Sequence, residues 1–254
     1  MANPIVGSYG SPQSIFTTGT VKNHKTGTRG HFPDGRVFYY CENTTAAALT
    51  VGELLVTALG VVNHQNTTAN ASTDMGLASF KPIVTVGATA VTVNQYDEGW
   101  LSIQTDAGAG RTYKILHTPA VASGATGVFT LYDPIQVASD GTTAMTLTRN
   151  MWRDPQQSNT TVAENLVGIP QVTIAAGDTT TQYGWVQTWG PATGLADEAV
   201  TALAGQAIVA GTGVAGRVEE DDTATTVSQE QIVGYNLQPL IDGDHSLIFL
   251  TIAP

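Results

Sequence analysis

Apolar and polar residues alternate with a period of two along much of the chain, as in Val84-Thr-Val86, Val172-Thr-Ile174 and Thr112-Tyr-Lys-Ile115. Successive side chains of a strand point to opposite faces, so this spacing predicts half-buried β-strands. No sustained run of apolar residues follows the 3.6-residue period of an amphipathic helix. Further strands are expected at 36–41, 112–117, 128–132, 135–138, 144–147, 206–210, 214–219, 231–237 and 246–252, with a turn plus a strand over 49–57.

One pattern occurs twice. Val84 to Asp106 reads VTVGATAVTVNQYDEGWLSIQTD, and Val172 to Pro191 reads VTIAAGDTTTQYGWVQTWGP. Val84, Val86, Gln95, Tyr96, Gly99, Trp100, Gln104 and Thr105 correspond in order to Val172, Ile174, Gln182, Tyr183, Gly184, Trp185, Gln187 and Thr188. The repeat predicts one hairpin-like unit used twice: a strand, a Thr-rich turn, and a second strand opened by Gly-Trp. A shorter echo relates Ala48-Leu49, Gly52-Glu53 and Leu55-Val56 to Ala202-Leu203, Gly205-Gln206 and Ile208-Val209.

These elements predict an all-β fold, an antiparallel β-sandwich or small barrels built from two related halves, with an extended N-terminal arm. The expected divisions are an arm at 1–36, a first β half at 37–148, an irregular linker at 149–166 and a second β half at 167–254. The halves form one composite domain or two small ones. Trp152 or Leu166 is expected to pin the linker to the core.

Composition sharpens the picture. Only 12% of the 254 residues are charged, against 42% hydrophobic, and Thr, Val and Gly favour strands and turns. Ten Lys plus Arg against 21 Asp plus Glu give a formal net charge of −11. That surface repels polyphosphate and argues against a nucleic-acid partner. No apolar stretch approaches the roughly 20 residues that span a membrane, and no basic segment leads into an apolar one at the start, so synthesis in the cytoplasm without membrane attachment is expected. The single cysteine, Cys41, reads as a small apolar core residue.

Residues 1–36 hold too few apolar residues for a core of their own and too many for a solvated tail. An arm laid against another subunit satisfies both facts. Its expected contact residues are Ile15, Phe16, Arg29, His31, Phe32 and Arg36, and Lys22, Lys25, Arg29 and Arg36 make a modest local basic group.

Motifs for chemistry are sparse. Gly211-Thr-Gly213-Val-Ala-Gly216 fits the spacing of a dinucleotide fingerprint, but acidic residues and no helical stripe follow, so a glycine-rich β-turn is expected. The acidic run Glu219 to Asp222 and the group Asp242, Asp244 and His245 lack calcium-loop spacing. His24, His31, His64, His117 and His245 are scattered, with no zinc pattern. There is no G-x-S-x-G elbow. No enzyme activity, cofactor or metal is expected. Trp100, Trp152, Trp185 and Trp189 could offer a sugar-stacking platform, although Trp100 and Trp185, at equivalent repeat positions, read first as packing residues.

Taken in order, several motifs resemble those of virion structural proteins of tailed bacteriophages, often of marine phages. They are Asp34-Gly-Arg-Val-Phe-Tyr-Tyr40 with Ala48-Leu-Thr-Val-Gly-Glu-Leu54, Tyr96-Asp-Glu-Gly-Trp100, Gly110-Arg-Thr-Tyr-Lys-Ile115, Leu131-Tyr-Asp-Pro-Ile135, Tyr183-Gly-Trp-Val-Gln-Thr-Trp-Gly-Pro-Ala192, Val233-Gly-Tyr-Asn-Leu237 and Ile248-Phe-Leu250. The similarity spans about residues 34–252 and omits the first 33. It implies a capsid decoration or cement protein on the outside of the head, with the major capsid protein and other copies of itself as partners. A tail or baseplate subunit, or a receptor- or glycan-binding module on the virion, are the alternatives. The family supplies no catalytic residues.

Overall fold

β-Branched and aromatic residues at alternate positions drive strand formation from end to end. The computed structural model describes residues 5–6, 13–68, 75–160, 165–197, 203–221 and 231–254. In chain order the strands are β1 (Ile5–Val6), β2 (Arg29–His31), β3 (Val37–Asn43), β4 (Leu55–Val56), β5 (Thr67–Thr68) and β6 (Ile83–Thr85). There follow β7 (Trp100–Ile103), β8 (Thr112–His117), β9 (Thr126–Val128), β10 (Thr130–Leu131), β11 (Ala144–Thr148) and β12 (Gln156–Gln157). The series ends with β13 (Leu166–Pro170), β14 (Gln182–Leu195), β15 (Ala207–Ala210), β16 (Val218–Glu220), β17 (Gly234–Asn236) and β18 (His245–Thr251). They build an all-β fold of curled antiparallel sheets.

The chain divides into Met1–Ala58 with Met151–Pro254, and Leu59–Asn150. This differs from consecutive halves at 37–148 and 167–254. The reason is pairing: β3 lies against β14, with Tyr40 opposite Trp185, so the first long strand belongs with the C-terminal half. The second unit is an insertion into the first.

In the first unit the sheet runs β1-β2-β3-β14-β18-β17-β15-β16, with β13 also beside β14 and β4 between β13 and β12. β14 is the spine. Its first part pairs with β3 and its second part with β18, where Ala192 faces Ile248. The ladder to β3 shifts between Gln187 and Trp189. There the buried Thr188 hydroxyl donates to the Ala253 carbonyl at 2.6 Å, while the Gln187 amide donates to the carbonyls of Trp189 (3.1 Å) and Pro191 (2.8 Å). A bulge of this kind re-aims the residues beyond it, and these bonds hold it in place. Phe38, Tyr40, Tyr183 and Trp185 pack with Ile15 in one cluster, whereas Ile248, Leu250, Ile208, Val218 and Leu54 pack in another.

The linker expected at 149–166 does not run loose where it is described. The Glu42 N–H donates to the Trp152 carbonyl and the Asp154 N–H to the Glu42 carbonyl, extending the β3 edge. Trp152 stacks on Tyr39 with centroids 4.1 Å apart, and Leu166 is buried, so both serve as anchors.

In the second unit β10-β8-β7-β11-β5 form a five-stranded sheet and β6 pairs with β9. Tyr96, Leu101, Ile115, Phe129 and Met145 fill a separate core. The strand expected at 135–138 is absent. Ile135 is buried, but its N–H and carbonyl bond to Ser79 and Ala78, which makes a packed turn instead of a ladder.

The long repeat places one copy in each unit, but neither copy is a hairpin. β6 pairs with β9 rather than β7, and Ile174 bridges to Leu49 rather than β14. What the copies share is a Trp in a strand bonded on both edges, β7 between β8 and β11, and β14 between β3 and its other neighbours, with a Gly directly before it. Both glycines occupy crowded places. A Cβ on Gly99 would lie 2.4 Å from the Thr148 carbonyl oxygen, and one on Gly184 would lie 2.7 Å from Ile174 Cδ1. The indoles then diverge, since Trp185 is 0% exposed and Trp100 is 44% exposed. The short echo shares its turn: Gly52 and Gly205 both have positive φ, although Ala202 lies outside the described residues.

Replacing Trp185 with Ala should therefore cost about 3–5 kcal/mol of stability, and replacing Trp100 with Ala less than about 1 kcal/mol. Denaturant titration of the two variants checks this, and equal losses would contradict it.

Candidate functional site

The N-terminal contact residues are not held together on one free arm. Residues 1–4 and 7–12 lie outside the described residues; from Gln13 onward the segment roofs its own sheet. Ile15 is fully buried among Phe38, Tyr40 and Trp185. The Trp185 indole N–H donates to the Gln13 carbonyl at 3.1 Å, the Tyr40 hydroxyl donates to Gln13 Oε1 at 2.9 Å, and Gly19 exchanges backbone bonds with Tyr183. Phe32 packs edge-on against Phe38, with centroids 5.6 Å apart. Ile15 and Phe32 thus serve this chain's own core, and the expectation of anchors reserved for a neighbour gives way there. Phe16 does remain exposed, at 56%.

The basic group is drawn into the fold as well. Arg36 pairs with Asp34 at 2.9 Å and lies over the Phe32 ring, Arg29 donates to the Pro254 carbonyl at 3.2 Å, and His31 lies in β2. Lys22 reaches the buried Glu42 at 2.9 Å. Glu42 also lies 2.8 Å from Arg153 and accepts a 2.7 Å bond from Thr26. Burial pushes the Glu42 carboxyl up, but Arg153, Lys22 and the Thr26 hydroxyl outweigh it, and the net shift is downward.

The glycine-rich run forms the expected turn, and its amides meet the chain's own carboxylates. The Val214 N–H donates to Asp197 and the Thr212 N–H donates to Glu219 at 3.0 Å. A Cβ on Gly213 would lie 2.9 Å from an Asp197 oxygen, so glycine is what lets the loop wrap that side chain. Asp242 pairs with Arg217 at 3.1 Å, while Asp222 lies outside the described residues. His24 is buried against Tyr40 and Trp185, and His64 between the Tyr96 hydroxyl and the Thr89 carbonyl. Among the described residues no three metal-ligating side chains come together. Burial pushes the Cys41 thiol well above its ordinary pKa, consistent with an apolar packing role.

Two surface features remain. The first is on the large sheet, where register aligns Pro191, Phe249 and Tyr235 across β14, β18 and β17, with Thr193 beside Leu247 and Trp189 beside Thr251. Tyr235 stacks on Phe249 at 5.0 Å and Trp189 meets Phe249 edge-on at 6.0 Å. Tyr235, Leu237 and Leu247 are each about two-fifths exposed. No Asp, Glu, Lys or Arg stands among these side chains.

The second is in the inserted unit, where Thr148, Trp100 and Lys114 lie opposite one another across β11, β7 and β8. Tyr132 follows, bonding by its N–H to the Lys114 carbonyl. The Lys114 ammonium lies 6.0 Å from the Trp100 centroid, 5.6 Å from that of Tyr132 and 3.3 Å from Glu98 Oε2. Tyr132 donates to Glu98 Oε1 at 2.6 Å. Burial, followed by its bond to Glu98, pushes the Tyr132 hydroxyl well up, so it stays a proton donor at neutral pH. Glu98 is itself buried and has a positive φ of 60°, a conformation that ordinary residues keep only where the surroundings enforce it. Here its N–H donates to the Ile115 carbonyl and its carbonyl accepts from Asn150. The strand over 112–117 was legible in the sequence. The juxtaposition of Lys114 with Trp100 and Glu98 was not, because it depends on register. No family model, curated protein or solved structure matches the chain.

Two measurements test these assignments. Removing residues 1–26 should leave Trp185 and Phe38 uncovered and cost the chain its soluble fold, read as lost near-ultraviolet dichroism and aggregation; a folded, soluble truncation would refute the roof. For Glu42, whose folded pKa is depressed, the stability it contributes is complete above about pH 4.3 and is lost as pH falls through the lower folded value. Glu42→Gln should lose about 3 kcal/mol at pH 7, because it leaves buried Arg153 only the more distant Asp154 carboxylate at 3.8 Å, and should unfold with a shallower acid slope than the native chain. Parallel slopes would contradict this.

Proposed function

We propose that the chain is a structural protein of a tailed-phage virion, decorating or cementing the outside of the head through contacts with the major capsid protein and with other copies of itself. The observation that carries this reading is the charge-free, ring-bearing face around Tyr235, Phe249 and Leu247. On a chain with a net charge of −11, a strip without charge is where another protein can approach without desolvating ions. Aromatic side chains packed against one another lose little conformational freedom on binding, which suits them to anchor an interface. The resemblance of the ordered motifs to those of phage virion proteins supports the same reading. Phe16, exposed at the edge of the N-terminal segment, is a second candidate contact.

The test is to locate the polypeptide in purified particles and to measure its occupancy. The expected result is a regular array on the head. Tyr235→Lys with Leu247→Lys should lower occupancy at least about tenfold while the melting temperature stays near the native value, since both side chains are exposed. A tail or baseplate position, or full occupancy by the double variant, would overturn the reading.

A further inference from the structure

We infer that the inserted unit carries a saccharide-binding platform, on which a neutral pyranose stacks on Trp100 and is hydrogen-bonded by Lys114 and flanking Thr hydroxyls. This inference stands apart from the virion reading, because it uses only the outer face of the five-stranded sheet.

Trp100 belongs to a strand bonded on both edges, where its repeat counterpart is wholly buried, yet it keeps 44% of its surface in solvent. An indole held by a rigid strand offers a flat, weakly hydrated face at no ordering cost, and the axial C–H groups of a pyranose match such a face. The Lys114 ammonium lies over the ring at 6.0 Å, the outer limit of a cation–π contact, so a sugar stacks on the exposed part of the indole beside the ammonium and within its reach. On the opposite side the in-register Thr148 is exposed, and one step along the sheet Thr112 and Ser102 form a pair.

Charge selects the class of ligand. Glu98 lies 3.3 Å from the Lys114 ammonium and accepts from Tyr132, so the lysine is both aimed and neutralised from beneath. The site presents ammonium and hydroxyl donors together with hydroxyl acceptors; the Lys114 and Glu98 charges offset each other, and the Asp97 carboxylate near Tyr132 adds no cation for an anionic ligand. A vicinal diol, which both donates and accepts, satisfies that arrangement. An anionic sugar would gain little from a paired lysine and would approach against a net charge of −11. Glu98 is accordingly a positioning residue: it holds Lys114 and Tyr132 in place through its own enforced backbone conformation.

Titration calorimetry of the full chain with glucose-, galactose- and mannose-based neutral oligosaccharides, and with a polyuronate as the anionic probe, tests the proposal. Saturable binding of at least one neutral oligosaccharide is expected. Trp100→Ala should weaken it at least about tenfold, with Trp100→Phe weakening it less, and Lys114→Met should weaken it by a smaller factor. Trp100 is exposed, so its two variants should keep a near-native melting temperature, which separates lost binding from lost folding; Lys114→Met takes the cation from buried Glu98, so its binding is measured at a temperature where circular dichroism shows it folded. No saturable binding of any neutral probe up to about 10 mM, a preference for the polyuronate, or undiminished binding by Trp100→Ala would each overturn the proposal.

Discussion

Strand β14 must satisfy backbone hydrogen bonds on both edges while changing partners halfway along, and the first unit depends on how that is done. Before the bulge its side chains meet β3 and the N-terminal segment; after it they meet β18. The side chains of Gln187 and Thr188, both buried, take up carbonyls that the interrupted ladder would otherwise strand in the interior. The same break separates a fully packed aromatic stretch from a stretch whose outer side chains stay near solvent. One irregularity thus sets both the core and the apolar face.

Roofing explains the contrast between the two tryptophans better than the repeat does. Trp185 is covered because Gln13, Ile15 and His24 lie over it, and the ion pairs of Glu42 with Lys22 and Arg153 lie beside that cover. A buried carboxylate is tolerated there because two cations and a hydroxyl compensate its lost hydration. Trp100 has a lysine beside it and a threonine on its other flank, both of which water can reach. The shared Gly-Trp motif specifies tight backbone approach in each unit, and the surroundings decide what becomes of the indole.

Period-two alternation made the fold class and several strands legible, β3, β8, β11 and β18 among them, because local pattern alone determines which face of a strand is apolar. Partnering was not legible. The pairing of β3 with β14 joins residues that the sequence separates by more than half its length, and nothing in Val37-Phe-Tyr-Tyr-Cys41 names its neighbour. The apolar residues of the N-terminal segment were correctly seen as needing a surface, but only the fold reveals that Ile15 and Phe32 find it at home. Glu98 and Lys114 read as ordinary loop and strand charges until register brings them beside Trp100.

The insertion also orders events during synthesis. β4 and β12 flank residues 59–150 and pair directly, Val56 with Gln156, so the first unit closes around a long intervening segment. The inserted unit is contiguous and can finish as soon as it leaves the ribosome, and once compact it shortens the loop that the outer unit has to close. Until β14 emerges, the nascent aromatic strand β3 has no partner along that edge. The growing chain therefore carries an apolar strand with one edge unpaired for the time it takes to translate well over a hundred residues, and that interval is when a chaperone has most to protect.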